Sequence, residues 1–397
     1  MRALLAFLLV IQFAACSTEK LGRPGGDYTL LFSVGQFSIP ARLRIDTDSS
    51  WHILNAEEDI RLDSVVLIGD SFYINLPLFD SSIKGVWAES HISGVWTDHS
   101  RVDYHIPFAG FKTPVGHSVE PSANDSLRYE ITFSPLDSSS ASRGIALLQK
   151  NGRFLSGTIL TETGDYRFLQ GEQQKDSIWL SAFDGTHLFY LRGTLRNDSL
   201  VDGVFLSGKH WKEDWHGVKS ATLSLRSPFE ITSTLVQKNP TFMVLNEWAE
   251  PIEFSSSHWL GKVSVIQVMG SWCPNCTDES VFLKQLYASH KSQGLQIIPV
   301  AFERGDDITR SCARVRKQFN QLALEYPFYY GGKSSKEDAH KALPFLTEVH
   351  SFPTSIFIDK HGVIRRIYTG FYGPGTHKEY THHTEEIAAL VEQLLAE

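Results

Sequence analysis

Cysteine is scarce in this sequence, with four in 397 residues. So few thiols exclude a scaffold held together by many disulfides, and each cysteine can be assigned a separate role. A structural zinc site needs four ligands, usually as two Cys or His pairs, and the sequence has no second C-x-x-C and no H-x-x-x-H. We therefore expect no zinc site built on cysteines.

An excess of positive charge is also missing. Lys and Arg number 37 against 45 Asp and Glu, which leaves a formal net charge of −8. Proteins that bind nucleic acid carry a basic surface, so we expect no nucleic-acid partner. Hydrophobic residues make up 42% of the sequence, and its length is enough for two or three globular domains.

The apolar stretch at the start of the sequence, MRALLAFLLVIQFAAC, is too short to span a bilayer. Its proportions predict a signal peptide over residues 1–15. Residues 13–16 resemble a bacterial lipobox, which implies that Cys16 becomes the lipidated N-terminus. The alternative is a plain signal peptide cut just before that cysteine. Both predict export, and the Gly-rich residues 16–27 predict a flexible tether.

The stretch VSVIQVMGSWCPNCTDE carries two cysteines, Cys273 and Cys276. An apolar run precedes them, and apolar residues with the spacing of one helix face follow them as far as His290. The pattern predicts a buried strand, a tight turn and a helix that begins at the two thiols.

This order places Cys273 at the start of a helix. Unpaired N–H groups and the helix dipole there favour the thiolate, which is the species that attacks disulfides. Pro274 suits the first turn because its missing N–H costs little there. Cys276, one turn later, is close enough to form a disulfide with Cys273 and release a bound partner. The motif therefore favours redox chemistry over a zinc half-site or two inert buried thiols.

Further motifs extend this hypothesis. WCPNC after a strand, Glu279 beyond the second cysteine, Pro353-Thr354 before the strand SIFID, and Gly362 in a turn together resemble the thioredoxin fold. The closer resemblance is to the TlpA/ResA branch of the AhpC/TSA-Redoxin superfamily, thiol-disulfide oxidoreductases that are membrane-anchored in bacterial envelopes. It covers residues 238–397 and implies an α/β thioredoxin-like domain there.

The resemblance also implies roles for individual residues. Cys273 is the nucleophile, Cys276 is the resolving thiol, and together they form the redox-active disulfide. Glu279 tunes the thiols, and Pro353 is a cis proline that faces them. The residues expected to contact substrate are Trp272, Phe352 and Thr354. No cofactor and no metal are implied.

Some positions depart from the family pattern. Gln267 stands where thioredoxins carry a buried Asp, so Glu279 or water would have to accept the proton. The stretch between Cys276 and Pro353 is long for the fold, which predicts extra helices within residues 306–344. Cys312 lies in one of these predicted helices, and we expect an inert, partly buried thiol there rather than a third redox cysteine.

The sequence from residue 28 to residue 230 has a different texture. Short segments with period-2 alternation are broken by Asp, Ser and Gly, which predicts antiparallel strands joined by turns. Residues 70–96 and 176–205 are weakly similar in sequence, which indicates two related β-meanders. Two meanders that close on one another would protect the edges of a sheet. We predict an all-β barrel or sandwich, with residues 118–142 as a crossover between halves.

The β-rich region shows no chemistry of its own in the sequence. Its histidines lack ligand spacing. The tryptophans at 179, 211 and 215 could line a pocket, but we expect them to fill a core. Residues 157–171, GTILTETGDYRFLQG, are similar to a segment that recurs in N-terminal domains of envelope thioredoxin lipoproteins. We expect the region to act as a spacer or to bind clients.

Two alternatives to a disulfide oxidoreductase were weighed. A thiol peroxidase of the peroxiredoxin type needs Ser or Thr three residues before its cysteine, where Gly270 stands. The second is a ligand-binding envelope lipoprotein with a stabilising thioredoxin module. That module would be expected to lose a cysteine or Pro353, and both are kept.

The sequence therefore predicts an oxidoreductase that exchanges disulfides with protein clients, more as a reductase than as an oxidase. We expect it in the cell envelope of a Gram-negative bacterium, lipid-anchored and facing the periplasm, with the outer membrane favoured. Its expected partners are protein disulfides or dithiols and an unidentified envelope electron donor or acceptor.

Overall fold

The computed structural model describes residues 25–88, 91–113, 125–134, 136, 141–220 and 222–397. The predicted signal peptide, the lipidation site Cys16 and most of the predicted tether lie outside the described residues. The first strand begins at Gly26, slightly before the predicted start of the β-rich region. As the sequence predicts, an all-β region precedes an α/β domain. In the part of the chain that the structure describes, no helix is long and apolar enough to cross a membrane.

In the described part of the β-rich region, nine antiparallel strands form the first sheet in the order β4-β3-β2-β1-β9-β8-β7-β6-β5. Alternate residues of β1 face the core, where Tyr28, Leu30 and Phe32 are buried. The strands are β1 Gly26–Val34, β2 Phe37–Ile45, β3 Trp51–Asn55, β4 Glu58–Leu62, β5 Ser64–Ile68, β6 Ser71–Asn75, β7 Ser81–Ala88, β8 His91–Asp98 and β9 His105–Lys112.

The second sheet closes on itself. Within the described ranges, eight strands pair in a ring, because β11 bonds both to β10 and to β12, and the short β13 folds back on β12. Closure removes the free edges of the sheet. The strands are β10 Asp125–Phe133, β11 Ser142–Asn151, β12 Phe154–Thr161, β13 Gly164–Asp165, β14 Leu169–Gln174, β15 Ser177–Phe183, β16 Leu188–Arg196, β17 Ser199–Ser207 and β18 Trp211–Lys219.

These sheets refine the sequence prediction. The second is a barrel, whereas the first is an open sheet whose core includes Phe183, Leu188 and Leu206 from the second. The similarity between residues 70–96 and 176–205 corresponds to two three-stranded meanders, β6-β7-β8 and β15-β16-β17. The predicted crossover over residues 118–142 is wrong for residues 125–133, which form the barrel strand β10.

The α/β domain contains a seven-stranded sheet in the order β20-β19-β23-β22-β21-β24-β25, all within the fully described residues 222–397. Its strands are β19 Phe242–Leu245, β20 Pro251–Phe254, β21 Val263–Met269, β22 Leu295–Glu303, β23 Tyr329–Lys333, β24 Thr354–Ile358 and β25 Ile364–Thr369. Its helices are α1 Ser256–Trp259, α2 Pro274–His290, α3 Ile308–Leu322, α4 Lys336–Ala342 and α5 Lys378–Ala396.

Both faces of this sheet are buried, as expected for central parallel strands. Along β21, Val263 and Val265 belong to the core that includes residues of α2, α3 and α5. The alternate residues Ile266 and Val268 belong to the core that includes residues of α1 and α4. The sheet therefore holds the start of α2 at the end of a rigid, fully buried strand.

Candidate redox site

Cys273 and Cys276 lie where β21 passes into α2. Cys273 is the N-cap residue of α2, and its sulfur accepts a hydrogen bond from the Cys276 N–H at 3.1 Å. The two residues form a disulfide, and their Cα atoms are 5.2 Å apart. Pro274 occupies the first helical turn, as the sequence predicts. The sulfur of Cys273 thus lies at the positive end of the helix dipole.

The turn before Cys273 is fixed to the neighbouring strand β22. Ser271 donates to the Glu303 carboxylate through its main-chain N–H and through its hydroxyl, each at 2.7 Å. The Trp272 indole N–H donates to the Phe302 carbonyl at 2.8 Å. Burial raises the pKa of Glu303, against the opposing effect of the hydrogen bonds from Ser271 and the charge of Arg314. Sequence reasoning missed Glu303 because it ends an otherwise apolar run.

A loop before β24 faces the disulfide. The Phe352-Pro353 peptide bond is cis, and the Phe352 carbonyl oxygen lies 3.5 Å from the sulfur of Cys273. The Phe352 ring meets the Trp272 ring edge-on, with 5.6 Å between centroids. Thr354 is fully buried, and its hydroxyl donates to the Ser351 carbonyl at 2.9 Å. Thr354 therefore holds the loop in shape, while Phe352 and Trp272 border the sulfur.

Glu279 belongs to a buried polar cluster beside the disulfide. Its two carboxyl oxygens accept hydrogen bonds from Gln267 and Ser355, each at 2.8 Å. Gln267 also donates to the Cys276 carbonyl at 3.3 Å, which connects the cluster to the second cysteine of the pair. Burial raises the pKa of Glu279 to about 7, against the lowering effect of these two hydrogen bonds. A carboxyl that titrates near neutral pH is suited to exchange protons with a thiol.

The other cysteine and the histidines lie outside this cluster. Cys312 on α3 is a buried free thiol, and burial raises its pKa. His383 is buried between the rings of Tyr368 and Phe371, with centroid distances of 3.9 and 4.8 Å. In the ranges that the structure describes, no group of His, Cys, Asp or Glu side chains could hold a metal ion.

The β-rich region covers the site from the other side. Asn275, between the two cysteines, donates to the carbonyl and carboxylate oxygens of Asp165 at 3.3 and 3.0 Å. Thr186 donates to the Trp272 carbonyl at 3.4 Å. Sequence reasoning did not foresee these contacts, although the segment 157–171 that contains Asp165 was noted. With the cover in place, Cys273 is 5% exposed and Cys276 fully buried.

The β-rich region also contains a cavity of about 620 Å³. Trp179 lines it together with Tyr190, whereas Trp215 is buried in the barrel core and Trp211 is 54% exposed. Core filling, which the sequence favours for all three tryptophans, is therefore wrong for Trp211 and for Trp179, and Trp179 instead lines a pocket, which is the alternative prediction.

Comparison with known proteins places the α/β domain in a family. Residues 237–382 match the Redoxin family. The thiol-disulfide oxidoreductase ResA of Geobacillus kaustophilus is 26% identical over 135 residues, which cover 34% of this chain and 68% of ResA. The thiol:disulfide interchange protein DsbE of Vibrio cholerae is 27% identical over 171 residues, which cover 43% of this chain and 81% of DsbE.

Among solved structures, a thiol:disulfide interchange protein of the thioredoxin family from Chlorobium tepidum matches at 18% identity with a TM-score of 0.31. That match covers 41% of this chain and 99% of the Chlorobium chain. The strand order, the helix that begins at the disulfide, and the family match agree with the fold that the motifs predict. The C-terminal part of the chain, residues 237–382, is therefore a Redoxin domain, and it follows a large N-terminal all-β region.

Proposed function

We propose that this protein is a thiol-disulfide oxidoreductase that exchanges disulfides with protein clients through Cys273 and Cys276. The observation that carries the proposal is the disulfide between them at the N-terminus of α2, with the Phe352 carbonyl beside the Cys273 sulfur. The curated relatives ResA and DsbE support it, since both names denote thiol-disulfide exchange.

In the reductive direction, the thiolate of Cys273 attacks one sulfur of a client disulfide. A Cys273–client disulfide forms, the client S–S bond breaks, and the released client thiolate takes a proton. Cys276 then loses its proton and attacks the sulfur of Cys273, which forms the pair's disulfide and frees the second client thiolate. Two electrons thus pass from the cysteine pair to the client.

Three neighbouring groups support this sequence. The N-cap position of Cys273 stabilises its thiolate, because the helix dipole and the Cys276 N–H both face the sulfur. Glu279 is the group that we assign to accept the Cys276 proton, through its cluster with Gln267. An envelope dithiol then reduces the Cys273–Cys276 disulfide, which completes the cycle.

A trapping experiment tests the exchange. In Cys276→Ala, the mixed disulfide between Cys273 and a client cannot be resolved, so client adducts should accumulate and disappear on reduction. Cys273→Ala is the matched control, since it removes the attacking sulfur and should form none. If Cys276→Ala keeps a reactive Cys273 and still forms no adduct with any protein disulfide, exchange with protein clients is ruled out.

The favoured direction is reduction, and the potential of the pair tests it. About 30 mV in a two-electron couple corresponds to about 1.4 kcal/mol, so small differences decide the direction. A potential well below the glutathione range would support a reductase, and one well above it would make the protein an oxidase.

We further propose lipid anchoring in the cell envelope, supported by the leader-like residues 1–16.

A further inference from the structure

The hairpin tip formed by residues 161–167, called the covering segment here, lies against the redox site. Its main-chain carbonyls at Thr161 and Thr163 accept hydrogen bonds from Tyr372 and Ser351, at 3.1 and 3.0 Å. Ser351 immediately precedes the Phe352-Pro353 pair that borders the Cys273 sulfur. The covering segment therefore lies at the rim of the loop that carries Phe352, which the sequence predicts to contact the substrate.

A second set of contacts reaches the helix that carries the cysteines. The Asp165 carboxylate accepts from Asn275 at 3.0 Å and from the Gly373 N–H at 2.7 Å. Asn275 lies between the two cysteines, so its hydrogen bonds hold Asp165 directly at the C-x-x-C turn. Asp165 itself is buried, at 5% exposure.

Arg167 fixes the covering segment by charge. It forms ion pairs with Asp278 on α2 and with Glu58 in the first β-sheet, and it is only 12% exposed. Removal of one partner from a largely buried ion pair is destabilising, because the remaining charge is left unpaired. Arg167 thus joins α2 to the β-rich region through an interaction that is costly to break.

The opposite flank of the disulfide is closed as well. The Arg304 guanidinium lies 4.8 Å from the centre of the Trp272 ring and pairs with Asp98 of the first sheet at 3.3 Å. Thr186 contacts the Trp272 carbonyl. With both flanks covered, the attacking residue Cys273 is 5% exposed. Little of the surface of Cys273 is therefore open to a folded client.

We propose that the covering segment determines which disulfides reach Cys273. While it is docked, exchange is restricted to small disulfides, and a polypeptide disulfide is attacked only after the segment has left the rim. This inference rests on the proposed function and assigns to the β-rich region a role in client selection. Residues 161–167, and Arg167 above all, are then specificity-determining, although none of them touches the reacting sulfurs.

The test compares two disulfides. The reduced protein is mixed with a small aromatic disulfide, dithiobis(nitrobenzoate), or with insulin, and both initial rates are measured. Arg167→Ala should raise the insulin rate about tenfold or more relative to the small-disulfide rate, because it breaks the buried ion pairs that hold the cover. Arg167→Lys keeps the charge and should restore most of the wild-type ratio.

Arg196→Ala is the matched control. It also removes an arginine of the β-rich region from an ion pair, with Asp202, but both side chains are exposed and remote from the cover. It should leave the rate ratio unchanged. A ratio that is the same in wild type, Arg167→Ala and Arg196→Ala, with native circular dichroism in all three, would overturn the proposal.

Alkylation provides a readout that does not need exchange. With Cys276→Ala and Cys312→Ala, Cys273 is the remaining thiol of residues 25–397. It should react with N-ethylmaleimide much faster than with a maleimide carrying a large polyethylene glycol chain, and Ser351→Ala should narrow that difference. Equal rates for both reagents would refute the cover even if Arg167→Ala fails to fold. If neither disulfide is reduced by any variant, the proposed function fails, and alkylation still decides about the cover.

Discussion

Glu279 gives the sharpest quantitative prediction, because it is a carboxyl group at 1% exposure without a cation among its hydrogen-bond partners. Burial raises its pKa from 4.5 to about 7. Between these values the unfolded chain has lost the proton and the folded protein has kept it. The free energy of unfolding therefore falls as pH rises from about 4.5 and levels off above about 7. The shift corresponds to a loss of about 3 kcal/mol.

Glu279→Gln removes this titration and keeps the shape of the side chain. The variant's free energy of unfolding minus that of the wild type should increase by about 3 kcal/mol between pH 4.5 and pH 8. We would measure it by guanidinium unfolding of the oxidised protein at several pH values, followed by circular dichroism. Other titrating groups cancel in the difference, and the exposed Glu385→Gln serves as the control. Parallel pH curves for wild type and Glu279→Gln would refute the reasoning.

Two further predictions concern the opposite ends of the chain. Burial lowers the pKa of His383 from 6.5 to about 3, with a smaller contribution from the charge of His382. Below pH 6.5 the unfolded chain gains a proton at this residue and the folded protein does not, so the free energy of unfolding should fall as pH drops. His383→Phe should remove roughly 2 kcal/mol of that loss at pH 5, measured by unfolding against wild type, and an unchanged pH slope would contradict it. At the other end, cells fed labelled palmitate should label the wild-type protein and not Cys16→Ala; equal labelling of both would exclude lipidation at that cysteine.

Local motifs made much of the redox site predictable. Strand, turn, C-x-x-C and helix are adjacent in sequence, so the position of Cys273 follows from neighbouring residues alone. The sequence predicts Glu279 or water as the substitute for the Asp that Gln267 replaces, and the side chains of Gln267 and Glu279 are hydrogen-bonded.

Elements without a strong local pattern were less predictable. β23 has the sequence YYGGK, whose two glycines hide any alternation, so only extra helices were expected in that region. The last helix begins at Lys378, and its first turns carry polar residues that favour a loop by composition. The extra helices are present as α3 and α4.

The contacts between the covering segment and the redox site could not be predicted from the sequence for a different reason. Asp165 and Asn275 are separated by 110 residues, and Arg167 and Asp278 by 111. Single charged residues at such distances carry no periodicity that would pair them. The segment 157–171 could be noted for its similarity to other proteins, but its position over the cysteines required the tertiary structure.

The way in which the two parts of the chain meet has a mechanical consequence. In each apolar core cluster of the described residues, the buried members lie either within residues 28–215 or within residues 242–395. The contacts named between the two parts are hydrogen bonds and ion pairs. Water can solvate these polar and charged groups when the two parts separate, which lowers the cost of breaking these contacts. Salt screens the ion pairs across this interface, so ionic strength should change how long the two parts stay in contact.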